Sequence, residues 1–142
     1  MMLVDVNIVV YAINKDAARH EKAREWWDEQ LSGTRPVCLP WAVILGFIRI
    51  VTNPRILQKP LHVKEALDYV DSWLDQACVR TLDPTETHWS LVKSNLGKAG
   101  TGGNLTTDAH LAALAIEHGC ELYSTDSDFS RFPDLRWRNP LL

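Results

Sequence analysis

Along the 142 residues, short apolar runs alternate with longer stretches whose apolar positions recur about every three to four residues. Met2 to Val6 is a short apolar run that reads as a buried strand, with Asp5 at its carboxyl end. A helix is predicted from about Ala17 to Leu31. Ala18, Ala23, Trp26, Trp27 and Leu31 form its inner face, Arg19, Glu21, Glu25 and Asp28 its wet face, and Gly33 and Pro36 stop it. Pro36 to Leu39 is a second strand. WAVILGFIRIV is apolar almost all round and too long for an ordinary strand, so it reads as a buried helix broken only by Arg49. Val63 to Gln76 is amphipathic and helical, Ala77 to Leu82 is a β-branched strand, and Pro84 at a first-turn position starts a helix to about Leu96. After the Gly-rich loop KAGTGGN, Thr106 or Thr107 caps a helix DAHLAALAIEHG that Gly119 ends, and CELYST is the next buried strand. Asp126 and Asp128 follow it directly.

Strands alternating with helices predict an α/β fold: a three-layer α/β/α sandwich around a central, mainly parallel sheet. In such folds sites form in the crevice beyond the strands' carboxyl ends. Asp5 and the Asp126/Asp128 pair occupy such positions, and Asp108 opens a helix able to face them. No repeat, low-complexity tract or Gly/Ser linker divides the chain, so one domain over residues 1–142 is expected. No apolar run approaches the ~20 residues that cross a bilayer, and the charged segment from Lys15 to Glu29 stands where a leader's cleavage site would be. A cytoplasmic protein without a membrane partner is expected. Cys38, Cys78 and Cys120 form no C-x-x-C pair and read as buried, reduced thiols.

The formal net charge of −3 argues weakly against a general nucleic-acid coat, since phosphate binding normally needs a positive surface. The distribution changes this picture. From Gln30 to Lys64 there is no acid, while Arg35, Arg49, Arg55, Lys59 and Lys64 fall in that stretch. Two bound divalent ions would also bring the −3 to +1.

Carboxylates gathered in a crevice repel one another by roughly 4 kcal/mol per pair at ~4 Å and an effective dielectric near 20. Protonation relieves one pair. Four acids, Asp5, Asp108, Asp126 and Asp128, suit a hard, oxygen-liganded cation such as Mg²⁺ or Mn²⁺ better. Such an ion supports in-line hydrolysis of a phosphodiester. Asn7 is a neutral oxygen ligand or an orienting group, and Ser124 and Thr125 can orient Asp126. Each acid also has a plain structural role available: Asp108 complements a helix dipole, and Asp126 and Asp128 suit a turn and cap. Asp5 is harder to explain so, because an Asp ending a buried strand needs a partner and no basic residue lies nearby in sequence. Asp68, Asp71 and Asp75 share a helix face opposite Leu67, Val70, Trp73 and Leu74, which marks a solvated surface. His110 could be a ligand or a general base, but a His one turn into a helix is more often structural or a phosphate contact. His20, His62, His88 and His118 show no metal-ligand spacing.

With these residues in view, the chain resembles the PIN-domain nucleases over its full length, and more closely the VapC-type toxins of bacterial toxin–antitoxin pairs. The resemblance rests on LVDVNIVVYA, PWAVILGFIRIVTNPRI, GNLTTDAHLAALAIEHG and ELYSTDSDFSRFPDLRWRNPL, in that order. It implies a PIN-like sandwich and a Mg²⁺- or Mn²⁺-dependent endoribonuclease cutting structured RNA such as tRNA or rRNA. It also implies a homodimer and inhibition by a small cognate VapB-type antitoxin. Asp5, Asp108, Asp126 and Asp128 match the family's catalytic, metal-binding acids. The departure is Gly46, where many relatives carry a Glu.

Lys15, Arg19, Arg49, Arg55 and Lys98 are the candidates for RNA phosphates. Of Trp26, Trp27, Trp41 and Phe47, about two are expected in the core, and the apolar helix from Trp41 to Val51 can contribute to a groove for a partner helix. A catalytically silent PIN module that binds RNA or protein, and a deoxyribonuclease, are the alternatives. An aspartyl-nucleophile phosphatase wants a second Asp where Asn7 stands.

Overall fold

The computed structural model describes residues Met1–Leu142. Five short strands form one all-parallel sheet: β1 (Met2–Val4), β2 (Val37–Cys38), β3 (Val79–Arg80), β4 (Glu121–Tyr123) and β5 (Trp137–Arg138). Their order is β3-β2-β1-β4-β5, with Leu3 opposite both Cys38 and Leu122. Six helices connect them: α1 (Val6–Ile13), α2 (His20–Leu31), α3 (Trp41–Val51), α4 (Val63–Leu74), α5 (His88–Ala99) and α6 (Leu105–Glu117). The crossovers from β1 through β2 to β3 step one way along the sheet, and the β3-to-β4 crossover steps back. Right-handed connections therefore place α1–α4 on one face and α5–α6 on the other. This is the expected three-layer sandwich, and its topology reverses between β1 and β4. No helix is long and apolar enough to cross a membrane.

The centre is filled by β1 and β4 with aromatic side chains between the helices. Trp73 meets Trp27 and Phe47 edge to face at 5.6 and 4.7 Å. Trp27 and Phe47 are buried, Trp26 is half-buried and Trp41 is exposed, as the expectation of two core aromatics requires. All three cysteines are buried and free.

Several boundaries differ from the pattern reading. The first strand stops at Val4, and Asp5, with φ −77° and ψ 159°, caps a helix that the pattern did not separate from the strand. VNIVVYAI is rich in β-branched residues, whose weak helix propensity is overridden by burial of Ile8, Val9, Val10 and Ala12. α2 begins at His20 because Ala17 and Ala18 lie in the turn before it. β3 is shorter than Ala77 to Leu82. Pro84 does not start α5; the helix begins four residues later, after a turn in which the Thr85 hydroxyl accepts the Thr87 N–H. Neither Thr106 nor Thr107 caps α6, since the Gly102–Gly103 turn carries the chain into the helix already at Leu105. β5 was not anticipated. Gly119, at φ 69°, does end α6, and the Cys120 N–H closes on the Ala115 carbonyl at 2.8 Å.

Candidate active site

β1 and β4 pair directly, Val4 opposite Tyr123, and the Asp5 N–H continues the ladder to the Tyr123 carbonyl at 3.0 Å. Beyond this rung the chains part, into α1 on one side and a 3₁₀ turn over Ser127–Arg131 on the other. This end of the sheet, at its topological reversal, is where a parallel sheet places its site.

Asp5 forms the floor. It is 5% exposed, its Oδ1 accepts the Val6 N–H at 2.7 Å, and its Oδ2 accepts the Ser124 hydroxyl at 2.7 Å. Burial pushes its carboxyl above the ordinary range against the lowering effect of those two bonds, and Asp126 adds to the rise. Ser124 is fully buried. Its Oγ also accepts the Asn7 side-chain N–H at 3.2 Å and the Asp126 N–H at 3.0 Å, while Trp137 Nε1 holds its carbonyl at 3.0 Å. One hydroxyl thus fixes Asp5, Asn7 and Asp126 relative to one another.

Above this floor, carboxylate oxygens of Asp108, Asp126 and Asp128 all lie within 4.8 Å of one another. Asp108 sits in the first turn of α6, and Asp126 caps the 3₁₀ turn by accepting the Asp128 N–H at 2.9 Å. Burial, then Asp5, Asp126 and Asp128 in that order, push the Asp108 carboxyl up to about 7. Of the four predicted acids, Asp108, Asp126 and Asp128 come together as a rim, and buried Asp5 is tied to Asp126 through the Ser124 hydroxyl.

Two observations test this rim against a hard divalent cation. The Ser124 hydroxyl proton is committed to Asp5, so Asn7 must present its N–H to Ser124; its Oδ1 is then buried with no partner. An unmet buried acceptor costs about 1–3 kcal/mol. Together with three mutually repelling carboxylates, it makes a set of oxygen donors short of positive charge, which fits such an ion. Gly46 is buried in α3, and a Cβ there would stand 3.4 Å from Val6 Cγ2, between Asp5 and Asn7 in sequence. The missing side chain would therefore pack on the first residue of α1, next to Asp5 in the chain. Thr125 lies between Ser124 and Asp126, half-buried.

His110 belongs to a different arrangement, which sequence reading did not find. Its Nδ1 is 2.8 Å from His88 Nε2, and His88 Nδ1 is 2.6 Å from Glu117 Oε2. The Glu117 side chain is 1% exposed. Burial alone would raise its carboxyl, but the Thr85 N–H and His88 hold it below the usual range. Burial, then His88, lower His110. The chain staples α5 to α6 and thereby supports the helix that carries Asp108. The only sequence signal was the seven-residue spacing of His110 and Glu117 on one helix face. Glu117→Ala is expected to cost about 1–2 kcal/mol in urea unfolding, because it takes the charged acceptor from half-buried His88; an unchanged midpoint would refute the staple.

Asp68 is exposed and paired with Lys64 at 2.9 Å, a solvated face as expected. Among the cationic candidates, Arg49 is exposed at the end of α3, Arg55 lies in the turn beyond, and Lys15 and Arg19 flank the α1–α2 connection. Lys98 is held by Asp134 at 2.6 Å.

The PIN domain family model matches residues 2–135. The chain belongs to the PIN-domain family. Within it the chain stands with proteins of the VapC type. It is 38% identical over 141 residues to Ribonuclease VapC33 of Mycobacterium tuberculosis, covering 99% of each chain. With Ribonuclease VapC37 of the same organism it shares 39% over 140 residues, covering 99% of this chain and 97% of that one. Among solved structures, the PIN fold superposes on Mycobacterium tuberculosis VapC20, described as a Sarcin-Ricin loop cleaving toxin, with a TM-score of 0.69 at 20% identity, covering 96% of this chain and 99% of that one. It superposes also on VapBC2 of Rickettsia felis bound to a fragment of its promoter DNA, with a TM-score of 0.67 at 19% identity and 97% coverage of both. The two structural likenesses concern the fold. In this PIN domain Asp5 and Asp126 follow β1 and β4, the strands between which the topology reverses.

Proposed function

We propose that this PIN domain is the toxin of a type II toxin–antitoxin pair, a divalent-metal-dependent endoribonuclease that cuts structured RNA such as tRNA or rRNA. The observation that carries the reading is the carboxylate rim of Asp108, Asp126 and Asp128 over buried Asp5, in a chain similar to ribonucleases along nearly all its length. Asp5, Asp108, Asp126 and Asp128 would hold Mg²⁺ or Mn²⁺, with Asn7 supplying a neutral oxygen. When bound, such an ion lowers the pKa of water and stabilises the leaving oxygen of a phosphodiester. The chain's own residues do the remaining work. Ser124 sets the carboxylate of Asp5 and the turn bearing Asp126, and the dipole of α6 lies behind Asp108. Lys15, Arg19, Arg49, Arg55 and Lys98 are assigned to RNA phosphates.

A VapB-type antitoxin and a second copy of the chain are the partners we assign. Exposed Trp41 and Leu45, one turn apart on α3, support a protein partner, as does the VapBC type of the similar structures. Purified protein incubated with labelled structured RNA and Mn²⁺ is expected to give discrete fragments that chelation and Asp5→Asn abolish. Uncut RNA would favour a silent binding module, and cleavage of DNA alone a deoxyribonuclease. If Arg49 and Arg55 track phosphates, replacing both by Ala lowers the slope of log K against log salt by roughly 2; an unchanged slope removes that assignment.

A further inference from the structure

A cavity of about 270 Å³ lies between the α1–α2 connection, α2 and α4, and none of the four aspartates lines it. Its wall is aromatic. Trp27 and Trp73 are buried there, and Tyr69, 38% exposed, stands with its ring 6.3 Å from that of Trp73. Trp27 Nε1 is the one buried side-chain nitrogen of the chain without a hydrogen-bond partner. A buried Trp usually finds an acceptor, and a donor left without one costs about 1–3 kcal/mol. The polar lining is unevenly engaged. His20 donates its Nδ1–H to the Tyr11 carbonyl at 2.9 Å, Arg24 is held by Glu21 at 3.0 Å, and Gln76 donates to the Ser72 carbonyl at 3.2 Å. Lys15, exposed at the same rim, joins none of the protein's ion pairs. A second cavity, of about 340 Å³, shares Ile13, Lys15 and Tyr69 with the first, so Lys15 and Tyr69 stand where the two adjoin.

We propose that this cavity binds a nucleoside monophosphate unit, either free or as one unstacked residue of an RNA strand. Three features of the lining meet in that one class of ligand. The aromatic wall takes the π-face of a nucleobase. The unmet indole N–H supplies a donor for a ring nitrogen or carbonyl oxygen of the base. At the rim, Lys15 and Arg24 stand against the single acid Asp28, a balance of +1 that suits one phosphate, and Lys15 is the cation free to take it. The adjoining second cavity leaves room for a strand to continue past Lys15 and Tyr69. The assignment does not depend on the cleavage proposed above, and a titration without divalent ion keeps the two apart.

The test follows the indole N–H signals of the six tryptophans by NMR on the nitrogen-labelled full chain, with Trp27 assigned by its loss in Trp27→Phe. Metal-free protein is titrated with each ribonucleoside monophosphate, with the matching nucleosides, with a short single-stranded RNA and with an aromatic dipeptide amide. The Trp27 signal is expected to move downfield and saturate with at least one nucleotide, whose nucleoside binds about fivefold more weakly. Lys15→Ala removes that difference, while Tyr69→Ala weakens nucleotide and nucleoside alike by about tenfold. Both residues are exposed, so these variants keep the fold even where Trp27→Phe does not. Saturation by RNA at a lower concentration than by the monophosphate makes the strand the source of the ligand; the reverse order makes it the free nucleotide. A Trp27 signal unmoved by every nucleotide and by RNA, an unchanged preference for nucleotide over nucleoside in Lys15→Ala, or movement with the dipeptide alone, which marks a partner protein's side chain as the occupant, overturns the proposal.

Discussion

Replacing Asp108 by Asn is expected to abolish cleavage while making the metal-free protein more stable. Burial, with Asp5, Asp126 and Asp128 adding to it, holds Asp108 protonated up to about 7, where its ordinary value is 3.8. Unfolding between those values releases a proton. The folded chain therefore has its full share of stability below the ordinary value, loses it as pH rises toward 7, and has none of it left above. Asparagine keeps the shape and removes the charge, so above pH 7 the metal-free variant gains about 1–2 kcal/mol after allowance for solvent screening. The same charge is what a divalent ion requires, so the variant loses cation-induced stabilisation and falls about a thousandfold in cleavage. Thermal melts across pH 5–9, with and without Mn²⁺, check both halves. A variant that melts lower than the parent at pH 8 without metal would show that Asp108 is held by structure and not strained by charge.

Gly46→Glu is expected to act in the opposite sense. A Cβ at this position meets only Val6, at 3.4 Å and 3.9 Å, so α3 accepts a side chain without displacing backbone. Helix propensity favours the change by about 0.5–1 kcal/mol. If the carboxylate reaches the neighbouring acids, it adds charge beside Asp5, whose own carboxyl burial already pushes up. Without metal the variant melts below the parent; with Mn²⁺ it melts above, and calorimetry reads an affinity about tenfold higher. If Mn²⁺ affinity stays unchanged in a folded variant, the gap at Gly46 is unrelated to the ion and Asn7 already completes the donor set.

The fold was legible where one period ruled a segment. α4 buries Val70 and Trp73 as its period predicts, although Ala66 takes the buried place beside them and Leu67 is exposed, and the alternation of elements predicted a parallel sheet. Legibility failed where burial overruled local preference. VNIVVYAI looks like strand continuation because its β-branched residues pack all round a short helix, and β5 is too short to leave a pattern. For the site, the four acids were legible as residue types at strand and helix ends, but their division into one anchor and a three-membered rim was not. That division depends on Ser124, whose single hydroxyl bonds to partners far apart in sequence. Glu117 and His88 were illegible for the same reason, since an acid on one helix and an imidazole on another become partners only when α5 lies against α6.

Asp5 and Ser124 are 119 residues apart, and β1 gains its first neighbour, β2, long before its second, β4. Closing so long a loop is entropically expensive and belongs to the late stages of folding. A chain that has assembled only β1, β2 and β3 already has helices, a core and an exposed edge, yet it lacks every rim acid. Under the proposed function, cleavage begins only when β4 and β5 dock, so partly folded molecules are expected to be inert, and recovery of cleavage during refolding times the final step of assembly.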